Sequence, residues 1–592
     1  MCGIAGLMTR DGSPPPLAPL QAMASALGHR GPDGDGRYRS ADVAMVQTRL
    51  AIIDLETGDQ PLYEPCGAAL VANGEIYNYI ELRDELGCGR AGVFSTQSDC
   101  ELPLHLYRRY GLEFTAHLRG MYAIALHDPA AGRLVLTRDA FGIKPLYYAE
   151  TPRAFAFASE PGALIAAGIV QPQLVGRARN ELLQIQFTTG RETIFTGVNR
   201  VLPGETVVVR QGRIVERHRR EALPEGGPLP LGEEEALIRL DAALLESVRL
   251  HQRSDVPFGM FLSGGIDSTA VLLLMARLAE RPVKAFTIGF TANDVADERP
   301  GARAAAQAVG AEHVEIVFGE EDFWRLLPEI VSRVDDPAGD YAILPTWALA
   351  RAAHEAGLKV VLTGEGGDEL FGGYGRYRSA MRPWWAGGRT PRARGALDGL
   401  GVLRDEIAGW RDGIAAAEVC NSGHWRTPLQ VAQAVDCADW LPNDLLIKLD
   451  RCLMAHGAEG RTPYLDPELA ALVFRLPDEL KVRHGVGKWL LRRWLADRLP
   501  EVQPFARKRG LTVPVARWIA ARGIELGPLV ANSDAVRECC RADAVERLFA
   551  AADTKRAARA AWNLLFYALW HRHHIERVPL PPDTIAALAE RG

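Results

Sequence analysis

The pattern of apolar and polar positions changes near residue 220 and divides the chain into two parts. Up to about residue 215, short runs of β-forming apolar residues alternate with Gly, Pro, Asp and Asn, a pattern typical of strands joined by turns. The predicted strands are 43–48, 68–72, 121–127, 133–137, 154–158 and 206–209, and the predicted helices are 16–27 and 99–110. We therefore expect sheets covered by helices in the first part.

After a Pro- and Gly-rich stretch at 219–234, the second part alternates between helical and strand patterns. The predicted order is helix 236–250, strand 258–262, helix 268–280, strand 283–290, helix 299–309, strand 313–317, helix 343–356 and strand 359–363, with a helical and irregular remainder beyond 375. Such alternation predicts a parallel sheet wrapped by helices, which binds ligands at the carboxyl ends of its strands. The sequence thus predicts an α/β protein with two domains, at 2–215 and 235–580.

Composition narrows the class of protein without defining its chemistry. The 592 residues, 47% of them hydrophobic and 24% charged, exceed what one hydrophobic core holds. The net charge of −6 comes without acidic or basic blocks, and no apolar run approaches the roughly 20 residues of a membrane helix. The nine cysteines are scattered without a CxxC motif, which indicates reduced thiols. We expect a soluble cytoplasmic protein that binds neither nucleic acid nor membrane.

The second residue of the chain, Cys2, would combine two reactive groups once the initiator methionine is removed. A thiol has an ordinary pKa of about 8.5 and an α-amine one of about 7.7–8.0, so the amine can accept the thiol proton near neutral pH. Nucleophile and general base would then belong to one residue. The alternative, which Cys2 taken alone favours, is an ordinary small hydrophobic side chain at a frayed terminus.

Two glycine-rich segments follow predicted strands of the second part. The first lies between strand 258–262 and the next helix, where backbone N–H groups and a helix N-terminus suit a phosphate; its members include Ser263, Gly264, Gly265, Asp267 and Ser268. It lacks the GK[ST] ending of a Walker A loop and resembles the pyrophosphate loop of the ATP pyrophosphatases. The second segment, 363–374, follows the fourth strand. Asp267 and Asp368 would meet at one sheet edge and are candidate Mg²⁺ ligands, because hard cations take oxygen ligands.

In order along the chain, these and further motifs resemble the glutamine-hydrolysing asparagine synthetase family over nearly the whole length. The motifs of the first part are MCGI at 1–4, HRGPD at 29–33, RLAIID at 49–54, QPL at 60–62, NGEIYN at 73–78, SDCE at 98–101, RD at 138–139, GIKPLYY at 142–148 and SE at 159–160. The resemblance implies a class II glutamine amidotransferase domain with an Ntn-type αββα sandwich. It also implies a second, ATP-pyrophosphatase domain with a parallel sheet and a helical C-terminal part.

In the amidotransferase domain, the resemblance implies that the Cys2 thiolate attacks the carboxamide of glutamine and releases ammonia. Asn73 and the backbone N–H of Gly74 match the family's oxyanion hole, where one donor typically contributes about 10²–10³ in rate. The remaining matches concern the α-groups of glutamine: Arg49 for its carboxylate, and Glu75 and Asp99 for its ammonium. A buried turn Asn, a surface Arg and helix-capping acids are the separate alternatives, and they are improbable for the full set.

In the synthetase domain, the resemblance implies that ATP converts a carboxylate into an acyl-adenylate, which the ammonia then displaces. Besides the loop at 263–268, the positions that match ATP contacts are Leu262, Ile288, Thr363 and Gly364. Glu365 matches the acid tied to forming the adenylate. Lys488 matches a lysine that stabilises charge around the reacting phosphate, with an exposed loop lysine as its alternative. Because ammonia is mostly protonated in neutral water, we expect an enclosed interdomain passage with apolar walls.

The acceptor carboxylate is where the alternatives stay open. Aspartate is the family's usual substrate, whereas relatives amidate other carboxylates, such as a cell-surface sugar acid or a peptide natural product. Leu453 and Gly460 stand where the family commonly has Ser and Ala. An RNA-modifying enzyme conflicts with the acidic net charge, and a non-catalytic protein conflicts with the retained motif residues. The sequence leaves a homodimer open.

Three other segments carry interpretations of their own. Segment 382–406, with Trp384, Trp385 and several arginines, fits an extended anionic partner or, better, a solvated excursion anchored by two tryptophans. The HRHH run at 571–574 fits a metal site or, better, the end of the amphipathic stretch 561–570. Segment 461–466, RTPYLD, resembles a family motif that we interpret as architecture around the acceptor pocket.

Overall fold

A computed structural model describes residues 2–65, 67–87, 94–291, 297–382, 385, 388, 392–405, 408–423, 425–506 and 512–589. The strands are β1 (Gly3–Thr9), β2 (Gly34–Arg39), β3 (Val43–Arg49), β4 (Leu62–Tyr63), β5 (Ala69–Ile76), β6 (Gly120–Asp128), β7 (Arg133–Arg138), β8 (Tyr147–Glu150), β9 (Ala154–Ala158), β10 (Asn199–Arg200), β11 (Glu205–Arg210), β12 (Arg213–Arg219), β13 (Phe258–Phe261), β14 (Lys284–Phe290), β15 (Glu312–Phe318), β16 (Val360–Leu362), β17 (Glu459–Arg461), β18 (Val482–Arg483) and β19 (Val486–Gly487).

The α-helices of the described residues fall mostly in the second part of the chain. They are α1 (Leu17–Ala26), α2 (Tyr79–Gly87), α3 (Leu102–Tyr110), α4 (Pro161–Ala166), α5 (Gly176–Ile185), α6 (Glu233–His251), α7 (Ile266–Leu278), α8 (Arg299–Val309), α9 (Glu320–Ser332), α10 (Ile343–Glu355), α11 (Gly367–Phe371), α12 (Gly375–Ala380), α13 (Asp412–Asn421), α14 (Pro428–Val435), α15 (Leu446–Met454), α16 (Pro467–Phe474), α17 (Asp478–Lys481), α18 (Trp489–Ala496), α19 (Val515–Ala521), α20 (Gly523–Ala531), α21 (Asp534–Cys539), α22 (Ala542–Ala550), α23 (Lys555–His574) and α24 (Thr584–Ala589). A π-helix at Asp436–Leu445 joins α14 to α15.

The first part of the chain folds as two antiparallel sheets stacked between helices. The strand orders are β10-β8-β9-β1-β3-β2 and β12-β11-β7-β6-β5-β4. Apolar side chains from both sheets, among them Ile4, Val71 and Leu136, form the core between them. Helices α1 and α4 pack on the outer face of the first sheet, and α3 packs on that of the second. The expected αββα sandwich is confirmed, and its second sheet continues through β12 to Arg219.

The second part contains a five-stranded parallel sheet in the order β15-β14-β13-β16-β17. The chain builds outward from β13 in one direction and then returns to add β16 on its other side. Ligands of open α/β sheets bind at such a switch point, beyond the carboxyl ends of the strands. The segments that follow β13 and β16 are the two glycine-rich segments found in the sequence, so the fold places them side by side.

The α/β alternation is confirmed in the second part, but the fifth strand of the sheet and helices α9 and α11 were not predicted. Strand β17 has only three residues, Glu-Gly-Arg, and carries no apolar pattern. Its charges are buried because Arg461 Nε donates to Glu459 Oε1 at 2.6 Å. Helix α9 contains an internal proline, Pro328, which argues against a helix when only the sequence is read.

The interface between the two domains is partly apolar and partly built of buried ion pairs. Leu50, Ile52 and Met121 of the first domain share an apolar cluster with side chains of the second. Arg30 Nη1 lies 2.8 Å from Asp450 Oδ2, and Arg200 Nη2 lies 2.7 Å from Asp336 Oδ1. Buried ion pairs such as these fix the relative orientation of the two domains more than they stabilise the fold. The expected apolar walls are therefore only one component of this interface.

Two of the remaining sequence interpretations concern the C-terminal half. The HRHH run at 571–574 is the last turn of α23, where His574 is buried against the Val331 carbonyl, so the helix-end interpretation is confirmed. Trp385 is 74% exposed and therefore does not anchor its segment, whereas Trp384 and Arg389 lie outside the described residues. None of the helices in the described ranges combines the length and apolar character that crossing a membrane requires.

Candidate active sites

Cys2 lies just before β1, and three hydrogen bonds hold it in a buried position. Its thiol accepts from Gln47 Nε2 at 2.9 Å, its backbone nitrogen donates to Asn73 Oδ1 at 3.2 Å, and its carbonyl accepts from Arg30 Nε at 3.2 Å. The frayed-terminus alternative is therefore wrong. Burial raises the pKa of the thiol, while the amino-terminal charge and a backbone hydrogen bond from Leu50 lower it. The thiol consequently needs a base close by before it can act as a nucleophile.

Asn73 and Gly74 occupy the middle of β5, directly behind Cys2. Asn73 is fully buried, and its Nδ2 has no hydrogen-bond partner among the described residues. An unpaired buried donor is costly in a folded protein, so its retention indicates a binding role for an acceptor oxygen. A Cβ atom at residue 74 would lie 2.1 Å from the Met121 carbonyl oxygen, which explains why glycine stands there.

The three residues predicted to hold the α-groups of glutamine surround the same region. Arg49 ends β3, where it pairs with Asp59 at 2.7 Å and donates to the Asp54 carbonyl. Asp99 Oδ2 accepts the backbone N–H of Ile76 at 2.6 Å, and burial raises the pKa of Asp99 to about 6. Burial and the neighbouring carboxylates also raise the pKa of Glu75 well above its ordinary value. Two confined carboxylates of this kind favour a cationic ligand.

Two residues of this site were missed by the sequence interpretation. Gln47, which donates to the Cys2 thiol, is the one strongly polar residue inside the predicted strand 43–48, and that contrast is a usable signal. Arg461 comes from β17 of the second domain, and its Nη2 lies 3.7 Å from Glu75 Oε2. The interpretation of segment 461–466 as architecture around the acceptor pocket stays a prediction. In the structure the segment braces the first domain through Arg461 and the nucleotide loop through Tyr464, whose hydroxyl donates to the Asp267 carbonyl at 3.0 Å.

The predicted nucleotide residues line one open cavity of about 1060 Å³. It lies at the switch point of the parallel sheet and includes Leu262, Ser263, Gly264, Gly265, Asp267, Ser268, Ile288, Thr363, Gly364, Glu365, Asp368 and Lys488. The first segment turns sharply before α7, where Gly264 adopts φ +66° and a Cβ would lie 2.7 Å from the Ala302 nitrogen. The hydroxyls of Ser263 and Ser268 are 3.0 Å apart and brace the turn. The cavity is large enough for a nucleotide.

Lys488 brings the two carboxylates of this cavity together. It is only 2% exposed, its Nζ forms an ion pair with Asp267, and it lies 2.7 Å from Asp368 Oδ1. The exposed-loop alternative for Lys488 is therefore wrong. Burial opposes the charge of Lys488, but the two acids outweigh it and raise its pKa. No cluster of three or more metal-ligating side chains occurs among the described residues. The two convergent carboxylates form a hard-oxygen pair that fits Mg²⁺ shared with phosphate oxygens.

Glu365 lines the cavity, and the charge of a second buried lysine, Lys448, acts on it. Burial raises the pKa of Glu365, and Lys448 opposes that effect. Lys448 is buried on α15, and its Nζ lies 3.0 Å from Asp340 Oδ2. The sequence did not single out Lys448, because an isolated lysine in a helical stretch carries no motif.

The two departures from the family pattern, Leu453 and Gly460, are in contact with each other. A Cβ atom at residue 460 would lie 2.7 Å from Leu453 Cδ1 and 3.0 Å from Leu449 Cγ. Leu453 on α15 therefore occupies the space next to β17 that an alanine at position 460 would need. The two differences act as one compensating pair.

The fold combines a domain with a buried cysteine at its first strand and a domain with a large cavity at the edge of a parallel sheet. Family models match residues 1–219 as a glutamine amidotransferase domain and residues 239–572 as asparagine synthase. The chain belongs to the asparagine synthase family and is a carbon–nitrogen ligase with glutamine as its nitrogen donor. The domain limits 2–215 and 235–580 stay predictions.

Named relatives extend over nearly the whole chain. A Bacillus subtilis protein named asparagine synthetase [glutamine-hydrolyzing] 1 is 32% identical over 98% of both chains. A Mycobacterium tuberculosis protein, to which the name asparagine synthetase [glutamine-hydrolyzing] is given provisionally, is 33% identical over 98% of both chains. Amidase chry2 of Gibberella zeae is 29% identical over 82% of this chain and 84% of its own.

Proposed function

We propose that this ligase makes asparagine from aspartate, with ATP as the activating substrate and glutamine as the nitrogen source. The observation that carries the proposal is that Glu365 lines the nucleotide cavity and is acted on by the charges of the Lys448–Asp340 pair. A carboxylate that enters there would meet both ATP and a cation. The Bacillus subtilis relative, with an asparagine synthetase name and coverage of 98%, supports aspartate as the acceptor.

The glutamine half-reaction is assigned to the residues around Cys2. After removal of Met1, the Cys2 amine accepts the thiol proton and the thiolate attacks the carboxamide carbon of glutamine. Asn73 Nδ2, which has no partner within the described residues, and the Gly74 N–H stabilise the oxyanion. Arg49 holds the α-carboxylate, and Glu75 and Asp99 hold the α-ammonium. Ammonia leaves, a γ-glutamyl thioester remains on Cys2, and water hydrolyses it to glutamate.

The synthetase half-reaction is assigned to the cavity at the sheet edge. The N–H groups of the 263–268 segment and Lys488 bind the phosphates, and Leu262, Ile288, Thr363 and Gly364 contact the rest of ATP. Asp267 and Asp368 would hold Mg²⁺, which supplies positive charge to the phosphates when it is bound. The β-carboxylate of aspartate attacks the α-phosphorus, pyrophosphate leaves, and ammonia then displaces AMP. Glu365 orients the acceptor during these steps.

Two features of the structure support transfer of ammonia inside the protein. The Cys2 site is buried, and the apolar cluster with Leu50, Ile52 and Met121 lies at the domain interface. Within such a cluster, ammonia stays neutral and nucleophilic.

Every cysteine of the described residues is free, which supports a cytoplasmic location. A homodimer stays a prediction.

A second candidate is the same chemistry on a different carboxylate, such as a sugar acid or a peptide product. Amidase chry2, a relative without an asparagine synthetase name, matches 82% of this chain. The compensating pair of Leu453 and Gly460 also changes the packing between α15 and the sheet, and α15 carries Lys448. This candidate differs from the first only in the acceptor.

The test is to supply amide-labelled glutamine, Mg·ATP and either L-aspartate or no acceptor, and to measure products by mass spectrometry. We expect aspartate-dependent asparagine with equal amounts of AMP and pyrophosphate. Glutamate release without asparagine, and without aspartate-stimulated pyrophosphate, would contradict aspartate and leave the second candidate. Glu365→Ala should abolish pyrophosphate release and retain glutamate release, whereas unchanged pyrophosphate release would remove Glu365 from its assigned role.

A further inference from the structure

Arg461 is the synthetase-domain residue that reaches furthest into the glutamine site. It is fully buried at the end of β17 and is held from three sides. Nη1 donates to the carbonyls of His251 and Arg253 at 2.9 and 2.6 Å, and Nε donates to Glu459 at 2.6 Å. These bonds fix the guanidinium plane independently of the amidotransferase domain.

The remaining nitrogen of the guanidinium, Nη2, faces Glu75 without a hydrogen bond to it. Arg461 Nη2 lies 3.7 Å from Glu75 Oε2, and both atoms lack a hydrogen-bond partner among the described residues. Glu75 is 4% exposed, so water does not supply the missing partner freely. At this distance the two charges attract each other across the domain interface without a hydrogen bond. Glu75 Oε2 can therefore still accept from another donor, and the ammonium of glutamine is such a donor.

The charges around Glu75 oppose its ionisation, except for two. Asp99 and Glu459 are acids, and Tyr77, Cys2 and Cys100 are also ionisable neighbours. Arg461 and the amino-terminal ammonium are the cations that act on Glu75. The net effect is a pKa of Glu75 well above its ordinary value. The charge of Arg461 therefore lowers the pKa of Glu75, against the opposing effects of burial and two carboxylates.

We propose that Arg461 completes the glutamine site from the other domain, as a positioning residue that favours the anionic form of Glu75 when the substrate ammonium binds. The inference rests on the proposed assignment of Glu75 to that ammonium. An opposite charge within about 4–6 Å stabilises an ionised carboxylate by about 10- to 1000-fold. The amidotransferase domain therefore binds glutamine well only when it is docked on the synthetase domain.

The experiment measures glutamate release from glutamine by the full chain without ATP, with KM determined across pH. In wild type, KM for glutamine falls as pH rises and Glu75 loses its proton. Arg461→Met should raise KM at least about 10-fold and move this fall to higher pH, because the opposing cation is lost. Arg461→Lys should recover most of the effect. Arg119→Met removes another interdomain arginine, which pairs with Asp466 at 2.9 Å, and should leave the KM profile unchanged.

Glu459→Gln is the second variant, and it keeps the proposal testable even if Arg461→Met does not fold. Loss of this like charge should move the fall in KM to lower pH, opposite to Arg461→Met. A profile that is identical in wild type and Glu459→Gln, or a shift in the same direction as that of Arg461→Met, would overturn the proposal. Glu75→Gln distinguishes a failure of the proposed role of Glu75 in glutamine binding from a failure of the inference about Arg461. An unchanged KM in that variant would remove Glu75 from the glutamine site, whereas a raised KM without shifts at 459 and 461 would overturn only the inference.

Discussion

The two sites of this protein are built in opposite ways. The glutamine site takes Asn73, Gly74 and Glu75 from the interior of strand β5, where they pair with β6, and the proposed nucleophile Cys2 is buried. The nucleotide site takes its residues from segments beyond strand ends, and it opens into a cavity of about 1060 Å³. Strand pairing fixes a small rigid site for one small substrate, whereas loops at a sheet edge leave room for a large one. The difference matches the sizes of the substrates that we propose for the two sites, glutamine and ATP.

The two sites also differ in how their carboxylates are balanced. In the nucleotide site, Lys488 pairs with both Asp267 and Asp368. In the glutamine site, Glu75 and Asp99 have raised pKa values, and Arg461 lies 3.7 Å from Glu75 without a hydrogen bond to it. The carboxylates of the nucleotide site thus contact a cation before substrate binds, whereas we propose that the ammonium of glutamine supplies the contacting cation in the glutamine site.

Cys2→Ala gives the largest expected effect and tests whether the two sites are chemically separate. Glutamine-dependent amide formation should fall by about 10⁴-fold or more, because the nucleophile is lost. Amide formation from ammonium salts should persist, since the nucleotide cavity is untouched. The measurement is amide product formed from each nitrogen source. Cys540→Ala, which alters another buried cysteine outside both sites, serves as the control. Equal loss of both activities would show that the sites are not separable.

Lys488→Met is the converse test: it should impair the nucleotide site and leave the glutamine site active. Pyrophosphate release should fall by about 10²–10³-fold, the effect of removing one donor from developing charge. Glutamate release from glutamine should remain near wild type. Lys359→Met removes a lysine that pairs with Asp33 at 2.8 Å outside the cavity, and should leave pyrophosphate release unchanged. A Lys488→Met enzyme that releases pyrophosphate normally would remove this lysine from the reaction.

Gly460→Ala tests the compensating pair behind the nucleotide site through stability. The added methyl would overlap Leu453, so we expect a loss of about 1–3 kcal/mol in the free energy of unfolding. In Leu453→Ser/Gly460→Ala the two losses should not add, because the alanine fills space that leucine vacates. Denaturant titration measures Gly460→Ala, Leu453→Ser and the double variant, with Gly176→Ala as a control that meets no atom within 4 Å. Additive losses would contradict the pairing.

The smallest effect concerns pH and the glutamine site alone. Burial raises the pKa of Asp99 to about 6, so the carboxylate is protonated below that value and cannot hold an ammonium. KM for glutamine should therefore rise as pH falls through about 6, whereas KM for ammonia-dependent synthesis, corrected for free ammonia, should not follow it. An Asp99→Asn enzyme should lose this dependence near pH 6. If it keeps the full dependence, another group is responsible.

The nucleotide site could be read almost completely from the sequence, whereas the glutamine site could not. Every residue predicted at the nucleotide cavity lines it. Most of them are contiguous in segments that follow two strands of one sheet, whereas Ile288 in β14 and Lys488 before α18 were assigned through the family resemblance. Gln47 was missed because its contact depends on the register that pairs it with Ile4 in β1. The contact of Arg461 with Glu75 was missed because it depends on domain docking.

Strand β17 shows the same limit at the level of the fold. Its three residues pair with β16 in parallel, with Gly460 opposite Val361. Nothing in the local sequence marks Glu-Gly-Arg as a strand, since its stability comes from an ion pair and from the Thr363 N–H, which donates to the Arg461 carbonyl at 2.9 Å. Local patterns predicted elements that bury apolar side chains, and they failed where buried charges carry the structure.

The most direct measurement of the whole account follows one nitrogen atom between the two sites. Wild type and Cys2→Ala receive amide-¹⁵N glutamine, Mg·ATP and L-aspartate in the presence of unlabelled ammonium, and the mass of the asparagine is measured. The account predicts mainly labelled asparagine from wild type and only unlabelled asparagine from Cys2→Ala, with AMP and pyrophosphate formed in equal amounts by both. Labelled asparagine from Cys2→Ala, or a wild-type product whose label matches the bulk ammonium, would contradict it.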